Sequence, residues 1–222
     1  GRLDDLQLSN SLFFKTGIRF YVGTGGIAPF GVINNLAIDG ASGIAYTLEA
    51  GSFSVSGGYV TMGAGTKAIE AIVAAVDYDF QGLKIGAAST STTVGVNFAP
   101  TSGISTLGFT GGSINTGSQV ISSFVVGGTQ AVTLRVNGMY LTNSSNCAPL
   151  TSAKVKVTNT AAKINLGNNN MEDCGGGTTS KFADISSDIR GAIIGNIGIG
   201  WGLTAPPAPA NLKVVGNTFP AP

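Results

Sequence analysis

The sequence predicts an all-β fold, an antiparallel β-sandwich of the jelly-roll or immunoglobulin-like type with one short helix. The first reason is an alternation of apolar and polar residues, typical of strands with one buried face, at 17–22, 132–136, 154–157 and 164–166. The second reason is a series of turn signals between such runs. They are Gly25-Gly26, Asn34-Asn35, Asp39-Gly40, Gly57-Gly58, Gly111-Gly112, Gly127-Gly128 and Asn137-Gly138. Short strands separated by such turns are typical of sandwiches and barrels.

The segment Thr66–Val76 departs from this alternation. Thr66 is a suitable N-cap, and the apolar residues that follow it lie on one face of a helix: Ile69, Ile72, Val73 and Val76. We therefore predict a short helix here, and the alternative is a strand that runs on through Tyr78 and Phe80. No period of 20–50 residues repeats along the chain, which makes a solenoid the weaker interpretation.

The chain divides into a body and two terminal segments. We assign residues 1–15 to an N-terminal extension, 16–203 to the sandwich body, 204–210 to a proline-rich linker of polyproline type and 211–222 to a C-terminal strand and tail. The longest apolar run, Gly191–Leu203, has 13 residues and is interrupted by Asn196. A transmembrane helix needs about 20 residues, so no membrane span is expected.

The chain is poor in charge. Only 10% of its residues are charged, and 12 basic against 11 acidic residues leave a formal net charge of +1. Ordinary soluble domains carry about 25% charged residues. Little electrostatic repulsion separates such surfaces, so this one is expected to be covered by copies of itself, to face lipid or to carry sugar. Self-association is the interpretation we favour.

Cys147 and Cys174 are the only cysteines, and the chain has no histidine. A zinc site would then need two thiolates and carboxylates, a rare ligand set. We expect one disulfide that closes an asparagine- and glycine-rich loop, and therefore a secreted protein at the cell surface or outside the cell. Gly1 in place of Met fits removal of a secretory signal. The alternative is a pair of buried free thiols.

The residue inventory argues against catalysis. Without histidine there is no Ser/His/Asp or Cys/His nucleophile, and no phosphate-binding or dinucleotide-binding glycine motif is present. Asp77 and Asp79 could act as a carboxylate pair in a glycosidase, but a solvated strand face explains them better. The run 168–173 offers oxygen ligands without the spacing of a calcium loop. We therefore expect no enzyme, no cofactor and no metal.

Two surface features bear on partners. Lys154, Lys156 and Lys163 are the nearest approach to a basic patch, and they alternate with apolar residues as a solvated strand face would. Nucleic-acid binding is therefore not expected. Asn143-Ser144-Ser145 matches the N-glycosylation sequon, a pattern that is frequent by chance and has meaning only in a host that glycosylates.

Both terminal segments are candidates for contact between subunits. Apolar residues alternate along the N-terminal segment at Leu6, Leu8, Leu12 and Phe14, as in a strand that can complete a sheet in its own chain or in a neighbouring copy. Near the other end, glycines alternate with apolar residues and leave a flat face. The candidate contact residues there are Gly198, Gly200, Trp201, Gly202, Leu212, Val214 and Phe219.

In architecture, these features resemble the donor-strand-assembled subunits of microbial surface pili and extracellular fibres. The alternating residues 6–14, the Gly/Thr/Ser-rich body, the expected disulfide and the low charge carry the resemblance, without a diagnostic motif. The resemblance implies a structural homopolymer outside the cell. Strand addition between copies is a head-to-tail contact that does not close, so it would produce filaments, with surface glycans or neighbouring filaments as further partners.

Four alternatives remain, one of which is a virion surface or capsid protein, to which the same argument for a polymer applies. An outer-membrane β-barrel would show aromatic girdles, and one Trp and five Tyr are few for that. A carbohydrate-binding or adhesive sandwich would line a groove with exposed aromatic residues such as Tyr46, Tyr59 and Trp201. A glycosidase would depend on Asp77 and Asp79.

Overall fold

The described part of the chain consists of strands and corners, without a helix. A computed structural model describes residues 2–4, 7–8, 16–22, 26–41, 43–62, 67–87, 94–115, 122–142, 154–172, 183–185, 189–199 and 211–218. Its 24 strands form three sheets, and every pair of neighbouring strands is parallel. The described residues contain no helix long and apolar enough to cross a membrane.

The three sheets are called A, B and C. Sheet A contains β1 (Arg2–Asp4), β4 (Phe30–Asn34), β7 (Gly51–Ser56), β10 (Val76–Gln81), β13 (Ser105–Thr110), β16 (Val132–Asn137), β19 (Ala162–Gly167), β22 (Arg190–Ile194) and β24 (Leu212–Val215). Sheet B contains β2 (Gln7–Leu8), β5 (Ala37–Ala41), β8 (Tyr59–Met62), β11 (Lys84–Ala87), β14 (Ser113–Asn115), β17 (Tyr140–Thr142), β20 (Asn170–Glu172) and β23 (Ile197–Ile199). Sheet C contains β3 (Thr16–Phe20), β6 (Ile44–Leu48), β9 (Lys67–Ala71), β12 (Val94–Phe98), β15 (Ser122–Val126), β18 (Val155–Val157) and β21 (Ala183–Ile185).

The chain passes through sheets A, B and C in turn and then begins again, which makes the fold a parallel β-solenoid. One coil is an A, a B and a C strand, and each strand pairs with its counterpart in the next coil, about 4.8 Å away. The predicted antiparallel sandwich is therefore wrong. Strands with one buried face are common to both folds, so alternation alone did not distinguish them.

The corner between sheets A and B explains why the turn signals were misread. From β4 to β22, two residues join each A strand to the next B strand, and the first of them has a positive φ angle: Asn35, Gly57, Gly82, Gly111, Gly138, Asn168 and Gly195. Gly216, which follows β24, also has a positive φ angle. Glycine and asparagine tolerate this left-handed conformation better than other residues. In a hairpin such a residue would reverse the chain, whereas here it bends the chain from one sheet into the next.

The predicted helix at Thr66–Val76 is also wrong. Ile69 is fully buried in β9 and Val76 begins β10, while Ile72 and Val73 lie at 36% and 43% exposure in the corner between them. The four apolar residues thus match a helical face by spacing alone. The alternative of one strand that runs on through Val76, Tyr78 and Phe80 is correct only for its last part. The three residues are buried in β10, but the corner at residues 72–75 separates this strand from β9.

The N-terminal segment pairs within its own chain. β1 pairs with β4, β2 pairs with β5 through Leu8 and Ile38, and β3 pairs with β6. Donor-strand exchange is therefore wrong for this architecture, since the segment forms the first coil of its own solenoid. In the C-terminal segment, β24 (Leu212–Val215) pairs with β22 of the same chain.

The interior is filled by rows of side chains that repeat from coil to coil. Phe80 and Phe109 are neighbours in register, and their rings stack with centroids 4.9 Å apart. Phe53 stacks on Tyr78 at 5.4 Å in the adjacent row. Since parallel strands keep like positions aligned, aromatic residues stack along the solenoid axis and leave the outer faces free to carry function.

Candidate binding groove

A row of outward-facing residues runs parallel to the solenoid axis at the corner between sheets C and A. Each is the first or second residue of a sheet A strand, and pairing in register aligns them as Phe30, Ser52, Asp77, Thr106, Thr133, Lys163 and Arg190. Successive members lie one coil apart, about 4.8 Å. The fold thus converts positions far apart in sequence into a straight row.

Two cavities lie along this row. The larger, of about 620 Å³, is lined by Ile104, Thr133, Thr160, Lys163, Arg190 and Asn211, among others. The smaller, of about 230 Å³, is lined by Pro29, Phe30, Ser52 and Asp77, among others. Ile104 lines both cavities, so they adjoin at this side chain, and we call the two together the corner groove.

The corner groove has apolar side chains that the core does not use. Ile104 is 77% exposed and Phe30 is 70% exposed, the two most exposed large apolar residues in the described part of the chain after Ile27. Their exposure costs hydrophobic free energy that burial would recover. A partner that covers Ile104 and Phe30 would bind more tightly, because these side chains would be removed from water.

The charges are distributed unevenly along the groove. Asp77 lines the smaller cavity, whereas Lys163 and Arg190 line the larger one without a carboxylate among its lining residues. Neither cation forms an ion pair with another described residue. The larger cavity can therefore supply two cationic donors to an acidic ligand.

A second concavity lies on the outer face of sheet A. Gly167 has no side chain between its register neighbours Asn137 and Ile194, and the resulting depression of about 370 Å³ is largely apolar. Arg135 borders it and forms an ion pair with Asp79, 3.5 Å away across Gly108. Because Arg135 already has this partner, the depression is a poorer site for an acidic ligand than the corner groove.

The two candidate glycosidase carboxylates lie on the same strand and have different surroundings. Asp77 and Asp79 are both on the solvated side of β10, as the favoured interpretation predicted. Asp79 forms an ion pair with Arg135, whereas Asp77 is one of the residues that line the smaller cavity of the corner groove. Within the described ranges, no three acidic or cysteine side chains cluster as metal ligands.

The aromatic residues expected in a sugar-binding groove are not brought together. Tyr46 is fully buried and Tyr59 is 39% exposed on sheet B, in one outward row with Tyr140. Of the contact residues predicted near the C-terminus, Gly198 is buried opposite Met171 and Leu212 is in the core, while Val214 is 39% exposed at the sheet edge. The remaining predicted site residues lie outside the described part of the chain: Leu6, Leu12, Phe14, Cys147, Cys174, Gly200, Trp201, Gly202 and Phe219.

Sequence reasoning missed the corner groove. It considered Lys163 only as part of a solvated strand face, and it did not consider Phe30, Ile104 or Arg190. The missing signal was the register, because Lys163 and Arg190 become neighbours only when the chain is coiled. Aligning the coils of the sequence on their A–B corner residues would have placed Lys163 and Arg190 in one row, because each lies five residues before such a residue, Asn168 or Gly195.

Fold and groove together define a parallel β-solenoid with a groove along its side. No family model, curated protein or solved structure matches the chain.

Proposed function

We propose that this chain is an extracellular adhesive module that holds an acidic polysaccharide along the corner groove. The observation that carries the proposal is the pair Lys163 and Arg190, two cations in one straight row at the wall of a 620 Å³ cavity, without an acidic partner among the described residues. The extracellular setting rests on the low charge and the two cysteines.

The shape of the groove favours a linear polymer. Its polar groups recur at the coil spacing of about 4.8 Å, and a monosaccharide unit in an extended chain is about as long as one coil is high. Successive sugars would therefore contact residues from successive coils of the solenoid. A compact ligand would leave most of the row unused.

The lining chemistry favours uronate or sulfated sugars. Guanidinium and ammonium groups form charge-assisted hydrogen bonds with carboxylate and sulfate oxygens. Thr133 and Thr160 offer hydroxyl groups, and exposed Ile104 offers an apolar surface for the C–H face of a sugar ring. This combination gives the groove a preference for acidic over neutral glycans.

The test is calorimetric titration of the full chain with a hexameric oligogalacturonate and with a neutral gluco-oligosaccharide of the same length. We expect the acidic oligomer to bind and the double variant Lys163→Ser/Arg190→Ser to weaken its affinity by at least about tenfold. The matched control is Lys84→Ser/Lys156→Ser, which removes the same charge from sheets B and C.

Two results would contradict the proposal. Equal weakening in both double variants would mean that binding depends on net charge alone. Equal affinity for the neutral oligomer would mean that the two cations do not select the ligand.

Assembly into a filament stays a prediction. With donor-strand exchange excluded by the fold, it would have to use contacts between whole solenoids.

A further inference from the structure

An amine, a carboxylate and a carboxamide meet on sheet C, and we call Lys67, Glu70 and Asn97 the sheet C triad. Lys67 Nζ and Asn97 Nδ2 both donate to one oxygen, Glu70 Oε1, and the bond from Asn97 is 3.2 Å long. Glu70 in β9 is the register partner of Asn97 in β12. The parallel pairing therefore holds the carboxylate directly opposite the carboxamide.

The pair Lys67–Glu70 is the most buried of the three ion pairs among the described residues. The side chain of Glu70 is 8% exposed and that of Lys67 is 29% exposed, whereas each of the other two pairs has a partner more than half exposed. Burial limits the water around the contact, so a proton can pass directly from the ammonium group to the carboxylate. The neutral amine that remains is the nucleophilic form of lysine.

The amine of Lys67 is within reach of the carbonyl carbon of Asn97. Both nitrogens contact the same oxygen, so they are separated by no more than two hydrogen-bond lengths, about 6 Å. A bond-forming approach requires about 3–3.5 Å. The flexible four-carbon stem of lysine can cover the difference by rotation about its own bonds. The backbone register does not have to change.

We propose that Lys67 and Asn97 form an intramolecular isopeptide bond, with Glu70 as the general acid and base. Glu70 takes a proton from the Lys67 ammonium group, and the electron pair of Nζ attacks Asn97 Cγ. Glu70 then gives this proton to Nδ2 and takes a second one from Nζ. The Cγ–Nδ2 bond breaks, and its electron pair leaves with Nδ2 as ammonia.

The reaction balances without an oxidant, a reductant or a cofactor. One ammonium group and one carboxamide become one secondary amide and one ammonium ion, because the departing ammonia carries away the second proton held by Glu70. Glu70 is returned to its ionised form, as a catalyst must be. The new bond joins β9 to β12 and thereby links two neighbouring coils of the solenoid covalently.

The first measurement is the mass of the purified full chain after incubation at neutral pH. We expect a loss of one ammonia per chain. Tryptic digestion then locates the bond, because trypsin does not cut after an acylated lysine. We expect residues 20–84 as one peptide joined to residues 85–135, whereas the unlinked chain gives 20–67, 68–84 and 85–135 separately.

Two variants test the roles in the reaction. Glu70→Gln should slow cross-linking by about 100-fold or more, since the amide cannot transfer the protons. Lys67→Arg should abolish it, because a guanidinium group keeps the positive charge beside Glu70 but does not lose its proton. The matched control is Glu49→Gln, which removes a carboxylate from the ion pair with Arg19 and should cross-link at the unaltered rate. Circular dichroism checks that each variant is folded.

Three results would overturn the proposal. The first is an unaltered chain that keeps its full mass after prolonged incubation. The second is a mass loss with residues 20–67 and 85–135 recovered as separate peptides, which would indicate loss of ammonia at another site. The third is cross-linking of folded Glu70→Gln at the unaltered rate. No glycan enters these measurements, so their outcome is independent of the corner groove.

Discussion

Two core tyrosines differ in a single hydrogen bond. Tyr78 donates its hydroxyl to Ala50 O at 2.9 Å, whereas the buried hydroxyl of Tyr46 has no acceptor among the described residues. Burial raises the pKa of both phenols, so each stays protonated in the folded state. A buried polar group without a partner costs free energy that a bonded one recovers.

We predict that Tyr46→Phe increases the free energy of unfolding by about 1 kcal/mol, because it removes an unsatisfied hydroxyl and leaves the ring in place. Tyr78→Phe is the matched control and should decrease it by about 1 kcal/mol, since the bond to Ala50 is lost. Urea denaturation of the two variants measures both changes. A loss of stability in Tyr46→Phe would show that its hydroxyl has a partner.

At the scale of elements, the A–B corner holds successive coils together. Asn196 is fully buried and joins three coils through its side chain, by accepting from Asn169 and donating to Leu166 O and Asn217. Asn168, one coil earlier, is exposed and provides the left-handed residue of its corner. Asparagines at the A–B corners of two neighbouring coils thus have different roles.

We predict that Asn196→Ala lowers the free energy of unfolding by about 3 kcal/mol or more, because buried donors and acceptors on both neighbouring coils lose their partners. Asn168→Gly should change it by less than about 1 kcal/mol, since glycine adopts the same positive φ without strain. Chemical denaturation with circular dichroism detects the difference. Similar losses in the two variants would mean that the buried side-chain hydrogen bonds of Asn196 contribute little.

The sequence predicted strands far better than it predicted their pairing. The alternation correctly indicated that Val132, Leu134 and Val136 are buried, and that Asp77 and Asp79 face solvent. Whether a strand pairs with the next one or with one a coil away depends on long-range contacts that alternation does not encode. The corner groove was hidden for the same reason.

The repeat escaped detection because its length varies. Paired positions in sheet A lie 21 residues apart at Gly191 and Leu212, but 30 apart at Leu134 and Ile164. A search for a constant period fails under such variation. The corner residues at positive φ would have been the better marker, since the two-residue length of the A–B corner does not vary.

At the scale of the whole molecule, each coil contacts mainly its two neighbours. Stability is then approximately a sum of coil and interface terms, and a terminal coil lacks one interface. β13 pairs with both β10 and β16, whereas β24 pairs with β22 alone among the described strands. The solenoid should therefore open from its ends.

We predict that amide hydrogen exchange is slowest in β10, β13 and β16 and fastest in β1 and β24, because opening a terminal strand breaks one interface instead of two. Mass spectrometry of peptic fragments measures the gradient. Uniform protection along the axis would contradict the prediction and would indicate that the chain unfolds in one cooperative step.

The three corners of a coil differ in how much sequence they can absorb. Every A–B corner from β4 to β23 has two residues, whereas the segment between a B strand and the following C strand varies from two residues after β5 to twelve after β17. The segment between a C strand and the following A strand varies from two residues after β6 to nine after β3. Insertions and deletions can thus accumulate at the other two corners without displacing a strand. Two descendants of a common ancestor could then keep the same backbone path while their sequences drift out of alignment. Their kinship would be recorded in the spacing of the A–B corners rather than in residue identity.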